Sequence, residues 1–336
     1  MYRLFRNTNP FAVLLILVFA FLLFALPSNA PQIKPEIVHN SVLYTYILEF
    51  LNWLLADNKG ALTFLSLCLT LFQALYLNYL SVRNKLFHQT GYLPALLFVF
   101  LSALSSTFRV FTATQLAVCF LLPAMNLIFS IGSSYSPRKH LFNIGFLFSL
   151  IALIIQPAFL FFILMYLCIA FLRPIYLVEW VVLLLGFLTP IYFFTTLLYL
   201  FDFTNWIELT NMLHMVQLNE LHLPTANLIY LGFFIVLLIT GIYLLQSQLT
   251  LLTIYVRRCW AIIFGMLVFS SVVALFMHQD QSGNWLLVVP ASTLLISNIF
   301  TSEKRKQFVT FAFYFVFAAL IIFRFFLYSE VSLSNK

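Results

Sequence analysis

Long, continuously apolar stretches constrain the fold of this chain more than any other feature of its sequence. Each extends over about 15 to 25 residues and lacks the alternation of apolar and polar residues that a barrel strand shows over about ten positions. In hydrocarbon, backbone polar groups must be paired within their own segment or in a closed barrel. The stretches therefore predict membrane-crossing α-helices.

The composition supports lipid as the solvent for most of the surface. Only 8% of the 336 residues are charged and 63% are hydrophobic, whereas a soluble domain carries about 25% charged residues. The 41 phenylalanines would make a water-facing surface prone to aggregation. The net charge of +7 is spread over short loops rather than over a basic face of a soluble domain, so we exclude nucleic-acid binding.

The predicted fold class is all-α, a polytopic integral membrane helical bundle that forms a single transmembrane domain over residues 1–336. We expect about ten or eleven transmembrane helices, and the candidate spans are 10–27, 61–82, 93–109, 112–133, 142–156, 158–172, 177–201, 228–246, 260–277, 286–301 and 308–328. The pair 142–156 and 158–172 is short and is separated by Pro157. A broken span, a re-entrant hairpin and two thin helices all fit this pair.

The basic residues predict the orientation, since cytoplasmic loops carry an excess of Lys and Arg. With a cytoplasmic N-terminus, an uncleaved first span and every candidate span crossing, most of the 17 basic residues fall inside. The inside set is Arg3, Arg6, Arg83, Lys85, Arg138, Lys139, Arg173, Arg257, Arg258, Lys304, Arg305 and Lys306. Merging 142–172 into one span would reverse every later loop, so the charge bias favours two pieces.

Two external segments, 28–60 and 202–227, are too long to be simple turns. In the first, Ser41 to Ala56 has apolar residues at three- and four-residue steps, which predicts a helix lying in the membrane interface. Its predicted apolar face contains Leu43, Tyr46, Ile47, Phe50, Leu51 and Leu54, opposite Thr45, Glu49 and Asn52. The second segment predicts a less cleanly amphipathic surface helix.

Ionisable residues are nearly absent from the middle of the spans, which weakens the case for a channel, pump or ion-coupled transporter. We expect the mid-span polar residues to form interhelical hydrogen bonds; they are Gln73, Ser102, Gln115, Gln156 and Asn298. The chain has no H-E-x-x-H, G-x-S-x-G, P-loop or Rossmann glycine pattern, so hydrolase, NTPase and dinucleotide functions lack support. We predict no metal site and no cofactor.

Most acidic residues are predicted on the external side, so a catalytic base would come from that face, with ordinary solvated charge as the alternative. Arg109 ends the span 93–109, just before the next span begins at 112. A guanidinium at that level is suited to bidentate phosphate binding, and Arg324 is a second candidate. Snorkelling to ordinary lipid phosphates is the alternative for both arginines.

The stretch from His140 to Leu200 has a recognisable order: a short apolar helix, Pro157, a second short helix, Arg173-Pro174, Glu179-Trp180, then Gly186 and Pro190. It resembles an uncharacterised polytopic inner-membrane family of Bacteroidota, and the start of the chain from Met1 to Pro10 is compatible with that family. More distantly, it is similar to the C-type membrane glycosyltransferases, which use polyprenyl-phosphate sugars. Their layout of cytoplasmic N-terminus, one span and a long first external loop with an interfacial helix is also similar.

The resemblance implies a bacterial inner-membrane protein of envelope biogenesis that takes a polyprenyl-phosphate-linked sugar at its external face. In that superfamily an acid in the first external loop is the catalytic base, and external basic residues hold the carrier phosphate. By position the acid would be Glu36, with Glu49 and Asp57 as further candidates, and the phosphate ligand would be Arg109. The chain departs from the pattern in having no Asp/Glu doublet in that loop.

Three hypotheses for function follow. The first is a glycosyltransferase-like protein that transfers or handles the lipid-linked sugar. The second is a non-catalytic membrane subunit or scaffold, with membrane lipids and other envelope membrane proteins as partners. The third is a transporter or flippase, which would need a polar path that includes Gln115 and Gln156. Whether the chain is an enzyme is left open by the sequence.

Overall fold

The computed structural model describes residues 4–5, 9–25, 42–55, 58–88, 90–104, 110–131, 137–155, 159–172, 176–200, 225–276, 285–301, 309–319 and 321–322. Of the described residues, 91% are helical and none is in a strand. The all-helical part of the predicted fold class is therefore confirmed. A glycosyltransferase-like layout stays a prediction.

The described residues contain 12 α-helices. In chain order they are α1 Pro10–Ala25, α2 Val42–Leu54, α3 Lys59–Arg83, α4 Leu93–Ala103, α5 Ala113–Ile131, α6 Arg138–Ile154, α7 Phe159–Leu172, α8 Leu177–Leu200, α9 Thr225–Gln248, α10 Ile254–Phe276, α11 Val289–Thr301 and α12 Val309–Ala319. Short 3-10 turns at Leu249–Leu251 and Trp285–Leu287 precede α10 and α11.

Every candidate span predicted from the sequence overlaps one of these helices. Five of them, α3, α5, α8, α9 and α10, are long and apolar enough to cross a membrane. The helices α1, α4, α11 and α12 are apolar but shorter. The five long helices are compatible with a multi-pass integral membrane protein, while the larger number of spans remains a prediction.

Helix α10 begins at Ile254, six residues before the predicted span 260–277. The Thr253 hydroxyl accepts a hydrogen bond from the backbone N–H of Val256 at 3.5 Å, and the Thr253 carbonyl accepts one from Arg257 at 3.0 Å. This local cap starts the helix before its apolar stretch. Arg257 and Arg258 are therefore helical, although the sequence had placed them before the span.

The stretch 142–172 forms two separate helices, as the charge bias favoured. Helix α6 ends at Ile154, and Ile155 has an extended backbone. Helix α7 runs antiparallel to α8, because the rings of Phe162 and Phe187 lie 4.8 Å apart and those of Tyr166 and Trp180 lie 4.9 Å apart. One continuous helix over 142–172 is thus excluded, and the number of membrane crossings made by α6 and α7 stays a prediction. Pro157 itself lies outside the described residues.

Helices α6 and α8 make the most extensive contact between any two helices of the described chain. A Cβ atom on Gly145 or Gly186 would lie closer than 3.0 Å to backbone atoms of the opposite helix. Only glycine permits such an approach, and small residues play this part in membrane helix pairs generally. Gly241 of α9 approaches the Leu295 carbonyl of α11 in the same way.

The core of the bundle lies around α4, α5 and α11, where most side chains are buried. An aromatic cluster joins three helices, since the ring of Phe100 on α4 lies 4.5 Å from Phe317 on α12 and the ring of Phe19 on α1 lies 5.5 Å from Phe317. By contrast, α8 leaves most of its apolar side chains exposed, and those described on α9 are mostly exposed or half-buried. Such a surface suits lipid and would not be stable in water.

Candidate functional site

Helix α2, from the first predicted external loop, docks onto the segment that precedes α5. The Tyr44 hydroxyl donates a hydrogen bond to the backbone carbonyl of Phe111 at 2.7 Å, and the two rings stack with centroids 5.9 Å apart. Tyr44 is only 2% exposed. Burial raises the pKa of Tyr44, so its hydroxyl stays protonated and able to donate at neutral pH.

Helix α2 packs on the bundle through Tyr44 and Leu48, its most buried side chains. Phe50 and Leu54, which belong to the predicted apolar face, are 59% and 60% exposed, and contact of that face with the membrane interface stays a prediction. Tyr44 faces the bundle because it finds a buried backbone acceptor, which the apolar periodicity cannot register. The helix itself, predicted over Ser41 to Ala56, is confirmed at Val42–Leu54.

A second hydroxyl lies beside the neighbouring residue of the same segment. The Ser66 hydroxyl of α3 donates to Oε1 of Gln115 on α5 at 3.0 Å, and the Val110 carbonyl lies 3.5 Å from the same hydroxyl. Nε2 of Gln115 donates to the Ser66 carbonyl at 2.7 Å. This backbone is thus held chiefly by Tyr44 at Phe111, with Ser66 as a weaker contact at Val110.

Gln73 extends this polar contact further along α3 and α5. Its Nε2 atom donates to the Gln115 carbonyl at 2.7 Å and lies 3.0 Å from the Sγ atom of Cys119. The expected interhelical hydrogen bonds of Gln73 and Gln115 are therefore present. Ser102 instead bonds to the Val99 carbonyl of its own helix at 2.9 Å, and Gln156 lies outside the described residues.

The five predicted site residues are mostly beyond the described part of the chain. Glu36, Asp57, Arg109 and Arg324 lie outside the described residues. Glu49 is described and is exposed on α2. Val110 and Phe111, whose carbonyls contact Ser66 and Tyr44, directly follow Arg109 in the sequence.

Sequence reasoning missed Tyr44 and Ser66, which contact the backbone after Arg109. A hydroxyl inside an apolar stretch is a weak signal, because Ser and Thr commonly bond to their own helix, as Ser102 does. Among the described residues, no group of three or more His, Cys, Asp or Glu side chains could hold a metal ion. The only acidic side chains in the described ranges are Glu49 and Glu179.

Comparisons with known proteins provide no relative for this chain. No protein-family model matches it, and neither a curated protein nor a solved structure matches it. The functional argument therefore depends on the residues and their geometry.

Proposed function

We propose that this chain is a multi-pass protein of a bacterial inner membrane, with a cytoplasmic N-terminus, that takes a polyprenyl-phosphate-linked sugar at its external face during envelope biogenesis. The observation that carries the proposal is the Phe111 carbonyl held by the Tyr44 hydroxyl at 2.7 Å, two residues after Arg109 in the sequence. A fixed backbone next to a cation favours phosphate binding, since preorganisation lowers the cost of ordering the site. Arg109 and Arg324 are the proposed phosphate ligands.

The proposed reaction is sugar transfer to an acceptor hydroxyl. A carboxylate of the first external loop takes the hydroxyl proton while the acceptor oxygen bonds to the anomeric carbon. The bond between that carbon and the phosphate oxygen breaks, and its electron pair leaves on the carrier phosphate, where an arginine offsets the charge. Glu36 is the proposed base, with Glu49 and Asp57 as the other candidates. The C-type glycosyltransferase layout belongs to this proposal.

The first test is binding of the carrier. The full chain is reconstituted in lipid nanodiscs that contain either a polyprenyl phosphate or the matching polyprenol, and retention of each is measured by mass spectrometry. We expect preference for the phosphate, and we expect Arg109→Gln to abolish it while Lys59→Gln, a control cation on α3, leaves it intact. Equal retention of the phosphate and the alcohol by the unaltered protein would sink the proposal.

Catalysis and orientation need separate measurements. If Glu36 is the base, Glu36→Gln abolishes release of free polyprenyl phosphate from a polyprenyl-phosphate sugar but keeps carrier binding. Reporter fusions in the segments 83–92 and 303–307 should both report the cytoplasm. Reporters on opposite sides of the bilayer would contradict the proposed topology, and the external site with it.

A non-catalytic membrane subunit is the second candidate, and one observation favours it. Helix α8 exposes a broad apolar surface that includes Tyr192, Phe193 and Leu197, and this surface suits partner helices as well as lipid. The two candidates are distinguished by purification in a mild detergent. A stoichiometric membrane partner that is lost on Phe193→Ala, together with unaltered function in Glu36→Gln cells, would favour the subunit. Transport has less support, because Gln115 is bonded within the bundle.

A further inference from the structure

A second group of cations lies at the other end of α3, remote from the proposed carrier site. Ser66, which contacts Val110, lies 17 residues before Arg83, so the two ends are separated by roughly 25 Å along the helix. At this far end Arg83 and Lys85 are both exposed. Neither residue has a part in the function proposed above.

A hydrogen bond joins this end of α3 to the start of α10. The Tyr255 hydroxyl donates to Oδ1 of Asn84 at 2.7 Å, and Asn84 Nδ2 donates to the Leu80 carbonyl at 2.8 Å. Next to this bond, the rings of Phe87 and Trp260 meet edge-on at 5.6 Å. The junction of the two helices is therefore fixed by both polar and aromatic contacts.

The junction brings two arginines of α10 near Arg83 and Lys85. Arg258 is three residues after Tyr255, so it shares the helix face that meets Asn84. Arg257 is three residues before Trp260, so it lies next to the side chain that meets Phe87. Both arginines are exposed. We call Arg83, Lys85, Arg257 and Arg258 the junction cluster.

Lys85 occupies a backbone conformation that disfavours its side chain. With a φ of 51°, it is the only described non-glycine residue with positive φ. The N–H groups of Lys85 and Leu86 bond to the carbonyls of Val82 and Ser81 at 3.1 and 3.0 Å, which is the helix-ending motif that normally uses glycine at this position. A lysine kept at a strained position points to a role for its charge.

An aromatic row leads from the junction cluster along the exposed surface of α3. The Arg83 guanidinium lies 5.9 Å from the Tyr79 ring centroid and donates to the Tyr79 hydroxyl at 3.2 Å. The Tyr79 ring lies 5.9 Å from Tyr76, which lies 6.0 Å from Phe72. Since α3 is long and apolar enough to cross a membrane, this row would contact acyl chains where Arg83 meets headgroups.

We propose that the junction cluster and the aromatic row together bind one anionic phospholipid, with its phosphate held by the cations of the junction cluster. Cations between helices complement a lipid phosphate, and the guanidinium fork suits its oxygens. The aromatic row is what favours a lipid over a soluble acidic peptide, which would leave the exposed ring of Phe72 uncovered. The inference is independent of the sugar-carrier proposal.

The test uses the purified full chain in detergent, with native mass spectrometry to count retained lipids. Phosphatidylglycerol is titrated against phosphatidylcholine, with inorganic phosphate and polyglutamate as competitors. The expected result is one retained phosphatidylglycerol per chain that neither competitor displaces. Displacement by phosphate would indicate a free-anion site, and displacement by polyglutamate would indicate a peptide surface; either result would overturn the proposal.

Lys85→Gly is the decisive variant, because its effects on folding and on binding have opposite signs. Relief of the strained backbone should raise the unfolding midpoint in lipid-free detergent, while loss of the charge weakens phosphatidylglycerol binding about fivefold. Arg83→Gln should weaken binding similarly. Lys139→Gln, which removes an exposed cation of α6, is the control and should bind like the unaltered protein, because α6 makes no extensive contact with α3 or α10. If Lys139→Gln weakens binding as much as Lys85→Gly does, the attraction is diffuse and the site does not exist.

Discussion

Two helix pairs in this protein are held together by different means. Helices α6 and α8 meet through glycine, with the backbones in direct contact at Gly145 and Gly186. Helices α3 and α5 meet through polar side chains, with Gln73 and Gln115 bonded to groups on the opposite helix. In lipid, burial of apolar surface does not drive helices together, so packing and hydrogen bonds must do so.

The two contacts should differ in how well they tolerate substitution. A backbone contact has no freedom to adjust, because neither helix can move without losing its whole interface with the other. A side-chain hydrogen bond in a membrane is worth less, about 0.6 kcal/mol on average and at most about 1.7, since the freed group can find another partner. We therefore expect the glycine pair to be the more sensitive of the two.

The largest expected effect comes from Gly145→Ala. The new methyl group would overlap the backbone of α8 at Leu183 and Phe187, which should lower the free energy of unfolding by about 1 to 3 kcal/mol. Unfolding by SDS titration in mixed micelles measures this. Gly186→Ala should act on the same contact, so the double variant should lose less than the sum of the two.

Gly232→Ala is the matched control for that prediction. Gly232 is also helical, on α9, but nothing lies within 4 Å of the position that a Cβ atom would occupy there. Alanine at this position should be neutral or stabilise by about 0.5 to 1 kcal/mol, because glycine is the more flexible residue in the unfolded chain. If both alanine variants shift the midpoint in the same direction, the α6–α8 contact is not governed by glycine.

The polar pair is tested by Gln115→Leu, which removes the Gln115 bonds to Ser66 but keeps a side chain of similar size. We expect a loss of about 1 to 1.5 kcal/mol, close to the upper limit for such bonds in membrane proteins. A double-mutant cycle with Ser66→Ala in the same SDS assay should give a coupling of about 0.6 kcal/mol. Ser102→Ala is the control, since Ser102 bonds only within α4. Zero coupling between Gln115 and Ser66 would show that their hydrogen bonds do not stabilise the contact between α3 and α5.

The sequence could predict these interfaces only in part. The continuous apolar stretches predicted the helices, and the scarcity of polar residues within them predicted that Gln73 and Gln115 bond between helices, as they do. The close approach at Gly145 was not predicted. Whether a glycine faces a partner helix depends on how that helix is rotated, and hydropathy along one chain does not contain that information.

The environment of residues near helix ends was also difficult to predict from the sequence. Trp260 begins the predicted span 260–277, yet it is 2% exposed and packs against Phe87. Helix α10 starts at Ile254, before its apolar stretch, so Trp260 lies in the second turn of the helix. At the candidate site, the sequence does not predict that α2 docks through Tyr44. The acceptor is a backbone carbonyl, and because every residue has one, no residue type marks its position.

The smallest expected effect comes from Tyr44→Phe, which extends the comparison to a polar contact outside the long apolar helices. The variant removes one neutral hydrogen bond and keeps the stacked ring, so the loss should be about 0.5 to 1 kcal/mol, less than for Gln115→Leu, which removes two bonds. Because burial raises the Tyr44 pKa, its stabilisation should be complete below the ordinary tyrosine pKa of about 10 and should decline as the pH rises above it. The unaltered protein and Tyr44→Phe should therefore converge in stability at alkaline pH. A constant difference across that range would show that the hydroxyl does not hold α2 on Phe111.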